Sequence, residues 1–296
     1  METFLLADII LAAIAVAWLF AAAMQDLKKR EVANWLSFSL IIIALAIRAI
    51  ASIVSWQAYY LLYGIIATAL FFGVANLFYY TRIFAGGDAK LLIALAAAFA
   101  TTPSFISGRS IILLGNISLP FMAVFLLNML FVGSVYGIVW SFAIAFSNFR
   151  EFTREFGNIS RKIKVAKVLF FVLFLVFAAV GFRIRENILV IVSAMFLVFP
   201  YLLIFVKSVE NSCMVKNVKT SELTEGDWLF KPVKAGKKMI MPAWEGLSAK
   251  DIEFIKKARI KNARIKQGIP FVPVFLIALL ISFFANLLVF FISLLS

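Results

Sequence analysis

Asp26 and Asp88 are the two side chains best placed to do chemistry. Each stands where a long apolar run meets a short polar stretch. Asp26 follows the run 4–24, and Asp88 follows Gly86-Gly87 and precedes the run from Leu91 to Ala100. A carboxylate at the mouth of a membrane helix is costly to dehydrate, so it has a partner or a task. When two carboxyl groups share a site, one keeps its proton while the other is ionised, and the pair titrates as a unit. The ionised member can take a proton from water, and the protonated member can give one to a peptide carbonyl oxygen. That hydrolyses a peptide bond without His, Cys, Ser or metal. The plainer reading of Asp88 is a helix N-cap after a flexible Gly86-Gly87 turn, and both roles can hold at once.

The rest of the composition offers little competing chemistry. The chain has no histidine, which removes Ser-His-Asp and Cys-His hydrolysis, imidazole metal sites and haem ligation. Its one cysteine, Cys213, has no second thiol for an intrachain disulfide or a metal site. No metal and no cofactor are expected. At 64% hydrophobic and 15% charged, the chain falls far from the usual soluble composition and reads as a polytopic membrane protein.

Eight apolar segments must position the two aspartates: 4–24, 35–56, 59–80, 89–104, 119–147, 167–183, 187–206 and 270–295. The expected fold is therefore an all-α polytopic membrane protein of about eight transmembrane helices. Residues 105–118, with Gly108, Arg109, Gly115 and Asn116, read as an external loop. No basic residue precedes the first run and Lys28-Lys29-Arg30 follows it, the reverse of a cleavable signal, which places the N-terminus outside. The inner segments 24–34, 81–90, 148–167 and 207–269 then carry 3, 2, 6 and 14 Lys/Arg, 25 of the 29 in the chain. Basic loops beside anionic lipid account for the net charge of +14, so no nucleic-acid partner is needed.

Residues 207–269 form the sizeable polar part, a small basic cytoplasmic α+β insert before the last helix. Strands are predicted at 215–219 and 228–233, turns at 225–227 and 234–237, and a capped helix from Ser248-Ala249-Lys250-Asp251. The domain reading is 1–206 as membrane domain, 207–269 as cytoplasmic domain and 270–296 as the C-terminal transmembrane helix.

Topology sorts the remaining carboxylates. Glu2, Asp8 and Glu186 fall on the outer side; Asp8 is about 27 Å along a helix from Asp26 and cannot share its site. Glu151 and Glu155 read as parts of a solvated basic loop beside Arg150 and Arg154, and Glu31 as solvated. Asp26 ends the first helix as Asp88 begins the fourth, both at the inner boundary. Among other polar groups, Arg48 reads as snorkelling to the outer interface, Asn34 as a cap of the second helix, Lys90 as an interfacial anchor, Gln25 as a polar helix end, and Asn76 and Asn128 as helix bridges.

Asp26-Leu27-Lys28-Lys29-Arg30-Glu31-Val32-Ala33-Asn34 resembles the stretch that begins at the first catalytic aspartate of type IV prepilin peptidases. Ala85-Gly86-Gly87-Asp88-Ala89-Lys90-Leu91 resembles their GxGD second site, with Ala85 where the strict pattern has Gly. The spacing of 62 residues with two helices between also fits. Glu245-Gly246-Leu247-Ser248 and Gly268-Ile269-Pro270-Phe271-Val272-Pro273 are similar to the archaeal preflagellin/prepilin branch. The resemblance implies a GxGD-type aspartyl protease with Asp26 and Asp88 catalytic and Gly86, Gly87, Lys90 and Asn34 supporting. Its substrates would be pilin or flagellin (archaellin) precursors, cut at the cytoplasmic membrane face after a small residue to release a basic leader. Glu31, Glu151 and Glu155 would suit such a leader electrostatically. The Cys-rich domain of some relatives is missing, so neither zinc nor methyl transfer is expected.

Two alternatives stand beside this reading. One is an intramembrane protease of presenilin or signal-peptide-peptidase type, against which stand Gln25-Asp26 in place of Tyr-Asp and the missing Pro-Ala-Leu. The other is a proton- or cation-coupled transporter using Asp26 and Asp88, against which stand their positions at helix ends and the lack of an inverted repeat.

Overall fold

The computed structural model describes residues 2–106, 113–114, 117–236, 238–243 and 246–289. The elements in chain order are α1 (Glu2–Lys29), α2 (Asn34–Ser55), α3 (Tyr59–Tyr80), α4 (Gly86–Ala98), β1 (Leu113–Leu114), β2 (Ile117–Ser118), α5 (Phe121–Ser147), α6 (Phe149–Lys162), α7 (Lys164–Ile184), α8 (Asn187–Ser208), β3 (Val215–Lys219), β4 (Trp228–Leu229), β5 (Val233–Ala235), β6 (Lys238–Ile240), α9 (Ala249–Lys257), β7 (Asn262–Lys266) and α10 (Val272–Ser282). Among the described residues, α1, α2, α3, α5, α7 and α8 are long and apolar enough to cross a membrane. The chain is a polytopic, predominantly helical membrane protein with a small strand-containing region before α10. It divides into two compact units, Met1–Gly137 with Ile269–Ser296, and Ile138–Gly268.

In the first unit α4 is the buried centre. Leu91, Leu92, Leu95 and the alanines 94, 96 and 97 are wholly enclosed, small side chains that let α2 and α3 close in on it. The sequence places this segment at 89–104. The observed helix starts three residues earlier, taking Gly86, Gly87 and Asp88 into its first turn, and stops at Ala98. Thirteen residues reach only about 20 Å, well short of the ~30 Å hydrocarbon core. The last carbonyls of α4 therefore end inside the bundle and must find donors there.

Arg48 supplies them, which corrects the snorkelling expectation. It is fully buried, with Nε bonded to the Ala97 carbonyl (2.9 Å) and the two terminal nitrogens to the carbonyls of Tyr60 (2.9 Å) and Ala98 (2.9 Å) and to Thr101 Oγ1 (3.2 Å). Its stem runs past Gly64 of α3, where a Cβ would lie 2.7 Å from Arg48 Cδ. Asp8 is buried in the same region, accepting from Tyr60 Oη (2.5 Å), Ser104 N–H (2.7 Å) and Ser104 Oγ (2.6 Å).

The last apolar segment, expected as one helix over 270–295, is interrupted. α10 ends at Ser282, and Asn128 of α5 fills the break: its Nδ2 donates to Ser282 Oγ (2.9 Å) and the Ala285 carbonyl (2.8 Å), and its Oδ1 accepts from Leu287 N–H (2.9 Å). Asn128 is thus a helix bridge. Asn76 is not; its amide bonds back to the Phe72 carbonyl of its own helix (2.7 Å). In the loop expected at 105–118, β1 and β2 pair antiparallel, while Gly108, Arg109, Gly115 and Asn116 lie outside the described residues.

In the second unit α7 and α8 form an antiparallel hairpin. Residues 149–162, expected as a solvated loop, form the helix α6. Phe149, Phe152, Phe156 and Ile159 recur at helical spacing, and the Phe152 ring packs 5.5 Å from Phe205 of α8. The polar part has a three-stranded sheet ordered β3-β7-β4, with β7 antiparallel to both neighbours, and a separate β5-β6 hairpin. Strand β3 falls where predicted. The second predicted strand splits into β4 and β5, and β6 and the central β7 were not anticipated. Ser248 caps α9 as expected, and the hydrogen bonds from Ser248 and Lys238 hold the Asp251 carboxyl below the usual carboxylate range. Gly246 sits at φ +80° against the Gly226 backbone, where no Cβ fits; Glu245 lies outside the described residues.

Candidate active site

Asp26 lies in the last turn of α1, buried, just before Arg30 closes the helix in the left-handed region at φ 60°. Its Oδ2 accepts the Val272 N–H at 2.9 Å. Val272 is the first residue of α10, so Asp26 receives one of the amides that a helix start leaves without an internal partner. Pro273 follows directly and, with no N–H of its own, leaves this start unencumbered. The Arg30 charge also acts on the carboxyl.

Asp88 is the third residue of α4, not its N-cap. Ala85 holds the cap position, and the Asp88 carboxylate reaches back to the Ala85 N–H at 3.3 Å. The side chain is buried and close enough to Asp26 for the two charges to act on each other. Two carboxylates from different helices thus converge at one end of the first unit. Phe84, immediately before the turn, packs against Phe271 and Phe275 with ring centroids 6.0 and 5.6 Å apart. This apolar contact pins the start of α4 to the start of α10, so the helix carrying Asp88 and the amide held by Asp26 share one anchor.

The supporting residues bind the two aspartate stretches to each other. A Cβ on Gly87 would lie 3.3 Å from Val32 Cβ, so the glycine permits close approach of the 26–34 segment; neither Gly86 nor Gly87 has positive φ. Gly86 has room, with only Tyr79 Cε2 at 3.9 Å. Lys90 Nζ donates to Asn34 Oδ1 at 2.7 Å. That replaces the separate readings of Lys90 as an anchor and Asn34 as a cap: Ala33 is the cap of α2, and Asn34 makes no cap bond. Gln25 Oε1 accepts the Ala33 N–H at 3.2 Å and so shapes the same turn.

Tyr136 completes the neighbourhood and was not anticipated. Its hydroxyl is buried and lies within electrostatic reach of both Asp26 and Arg30. One turn earlier on α5, Gly133 lets Phe271 come so near that a Cβ would meet its ring at 3.0 Å. A tyrosine amid apolar residues 129–146 was visible in sequence, but not the direction it faces. Asp8, in the same unit, is held by Tyr60 and Ser104. In the second unit Glu155 is bonded by Asn211. Among the described residues no cluster of three or more Cys, Asp or Glu side chains is placed to hold a metal ion.

The model of the type IV leader peptidase family matches residues 13–142, a segment that contains both aspartates. Over this segment, which is less than half of the chain, the protein is similar to the type IV leader peptidase family. Comparison with curated proteins and with solved structures returned no match. The leader peptidase match spans α1 from residue 13 to most of α5, so it takes in Asp26, Val32, Asn34, Gly87, Asp88, Lys90 and Tyr136. The partner of Asp26 on α10 lies beyond it.

Proposed function

We propose that this chain is an aspartic endopeptidase of the type IV leader peptidase kind, with Asp26 and Asp88 as its catalytic pair. The observation that supports this best is the meeting of two buried carboxylates, carried by different helices, within range of each other's charge. Its substrates are prepilin-type precursors, pilins or archaellins of the archaeal branch, whose short basic leaders it removes at the cytoplasmic membrane face. The N-terminus of α1 lies outside and the polar part 207–269 is cytoplasmic, as the bias of 25 of 29 basic residues to one side supports.

The chemistry needs the pair to hold one proton between them. The ionised carboxylate takes a proton from water as its oxygen attacks the scissile carbonyl carbon. The protonated carboxyl gives its proton to the carbonyl oxygen, forming a tetrahedral diol. When the C–N bond breaks, the diol returns a proton to one carboxylate and the other carboxyl protonates the leaving amine. Gly87 lets the Asp88 turn lie against Val32, and the Lys90–Asn34 bond ties the two stretches together, so the supporting residues fix the spacing of the pair.

Mass spectrometry of precursor N-termini tests this. Wild-type protein in detergent, without any ion gradient, should release the leader from a purified precursor, and Asp26→Asn and Asp88→Asn should leave it intact while keeping normal expression and thermal stability. Normal processing by either variant would overturn the assignment.

A further inference from the structure

A cavity of about 370 Å³ lies in the second unit, between α7 and α8 at the open end of their hairpin. Its walls are apolar: Val168 and Phe171 from α7, Phe196 and Leu197 from α8. Two cations, Lys164 and Lys167, stand at its mouth in the first turn of α7. Pro200 shapes the α8 side. Having no N–H, it withdraws the helical donor of the Phe196 carbonyl, and both residues line the cavity.

Among the described residues, the partners of the cations at the mouth are neutral. Lys167 Nζ donates to Ser160 Oγ (2.8 Å) and lies 5.9 Å from the Tyr201 ring centre, both neutral partners. Among the described residues, neither Lys164 nor Lys167 enters an ion pair with a carboxylate. Arg161 and Lys162 end the preceding helix α6, and Lys207 ends α8, adding to the positive charge of these helix ends. An apolar slot opening under paired cations, at the ends of membrane-spanning helices, matches a ligand with an acyl chain and an anionic head.

We propose that this cavity is a binding site for an anionic phospholipid. The headgroup phosphate lies between Lys164 and Lys167, with Tyr201 beside the glycerol region, and an acyl chain passes along Phe171, Phe196 and Pro200. This requires no role in the peptidase reaction and stands independently of it. A zwitterionic lipid would fill the slot but bring a second cation to the two lysines. Free phosphate would meet the lysines and leave the apolar slot unfilled.

Native mass spectrometry of the full chain, delipidated in detergent, distinguishes these. Phosphatidylglycerol should give one adduct that survives activation about thirtyfold better than phosphatidylcholine of the same chains, the scale expected for two lysines at a headgroup. Inorganic phosphate should give no adduct and should not compete. Lys164→Gln with Lys167→Gln should reduce phosphatidylglycerol retention to the phosphatidylcholine level. Leu197→Trp, which fills the slot and keeps both lysines, should reduce retention of both lipids. Phosphatidylglycerol held unchanged by both variants, equal retention of the two lipids in wild-type protein, or displacement by inorganic phosphate would overturn the proposal.

Discussion

The first unit buries carboxylates in two places and treats them in opposite ways. Asp8 is closed off: both its oxygens accept bonds from Tyr60 and Ser104, and Arg48 beside it is spent on the carbonyls of Ala97, Ala98 and Tyr60. Asp26 and Asp88 are instead left facing each other's charge. Their side chains accept from backbone amides, Val272 to Asp26 and Ala85 to Asp88. The difference teaches how burial divides labour. A carboxylate surrounded by fixed donors loses its freedom to exchange protons and becomes part of the scaffold. A pair left to share charge keeps that freedom, at some cost in stability, which makes such a pair a candidate reacting site.

The sharpest way to break the comparison is to neutralise each carboxylate and read two quantities, leader release and thermal stability. Asp26→Asn and Asp88→Asn should cut cleavage by about 10³-fold or more, the scale of losing a general acid or base, with little change in unfolding temperature. Asp8→Asn should do the reverse. The amide keeps one acceptor oxygen where the carboxylate had two and carries no charge, so the charge-assisted bonds from Tyr60 and Ser104 are weakened at a cost of about 1–3 kcal/mol, while each folded molecule should cleave normally. An unstable Asp88→Asn beside an inactive but stable Asp8→Asn would exchange the two roles.

Arg48 tests the scaffold half directly. Arg48→Met keeps the stem against Gly64 but leaves three carbonyls without their guanidinium donors, and a loss of about 3–5 kcal/mol is expected in detergent unfolding. Arg48→Lys should recover only part of this, because an ammonium cannot reproduce the guanidinium fork.

Why the sequence puts Asp26 and Asp88 at one depth but does not reveal the burial of Arg48 is a matter of what hydropathy reports. It gives depth along a helix but not rotation about it. For the aspartates, depth alone puts the end of the first segment and the start of the fourth at the same level. Arg48 also sits near a helix end, and depth alone suggests an exit toward water. Its burial follows from α4 stopping at Ala98, yet residues 89–104 read as one apolar run, so the early stop and its orphan carbonyls were invisible. The helix α6 was hidden for a related reason: six arginines and lysines in 148–167 mask the spacing of Phe149, Phe152, Phe156 and Ile159. The break at 283–286 depends on Asn128, more than 150 residues away in sequence, and no local pattern contains it.

Tyr136 sharpens the other half. If the catalytic pair is organised by groups around Asp26, removing this buried hydroxyl while keeping its ring should cost activity and not fold. Tyr136→Phe is expected to lower kcat/KM about tenfold, the worth of one hydrogen bond of ~1.4 kcal/mol at the transition state. Unfolding temperature should stay within the error of the measurement, and the pH profile of cleavage should change shape. A twofold effect or less with an unchanged profile would show that Tyr136 only packs.

The smallest expected effect lies in the contact that joins the two aspartate stretches. Lys90 Nζ and Asn34 Oδ1 are 2.7 Å apart but near solvent, where water competes for both groups. Lys90→Met and Asn34→Ala should each reduce cleavage by only about two- to fivefold, the range of an exposed charged contact. Their combination decides what the bond does. If it holds the 26–34 turn against the start of α4, the double variant should lose no more than the worse single variant, because either change already releases the turn. Gly87→Ala, whose Cβ would press on Val32 at 3.3 Å, should then reproduce that loss with the Lys90–Asn34 bond intact. Fully additive losses from Lys90 and Asn34 would instead assign each residue a separate role, and the spacing of Asp26 and Asp88 would have to rest on Phe84, Phe271 and Phe275 alone.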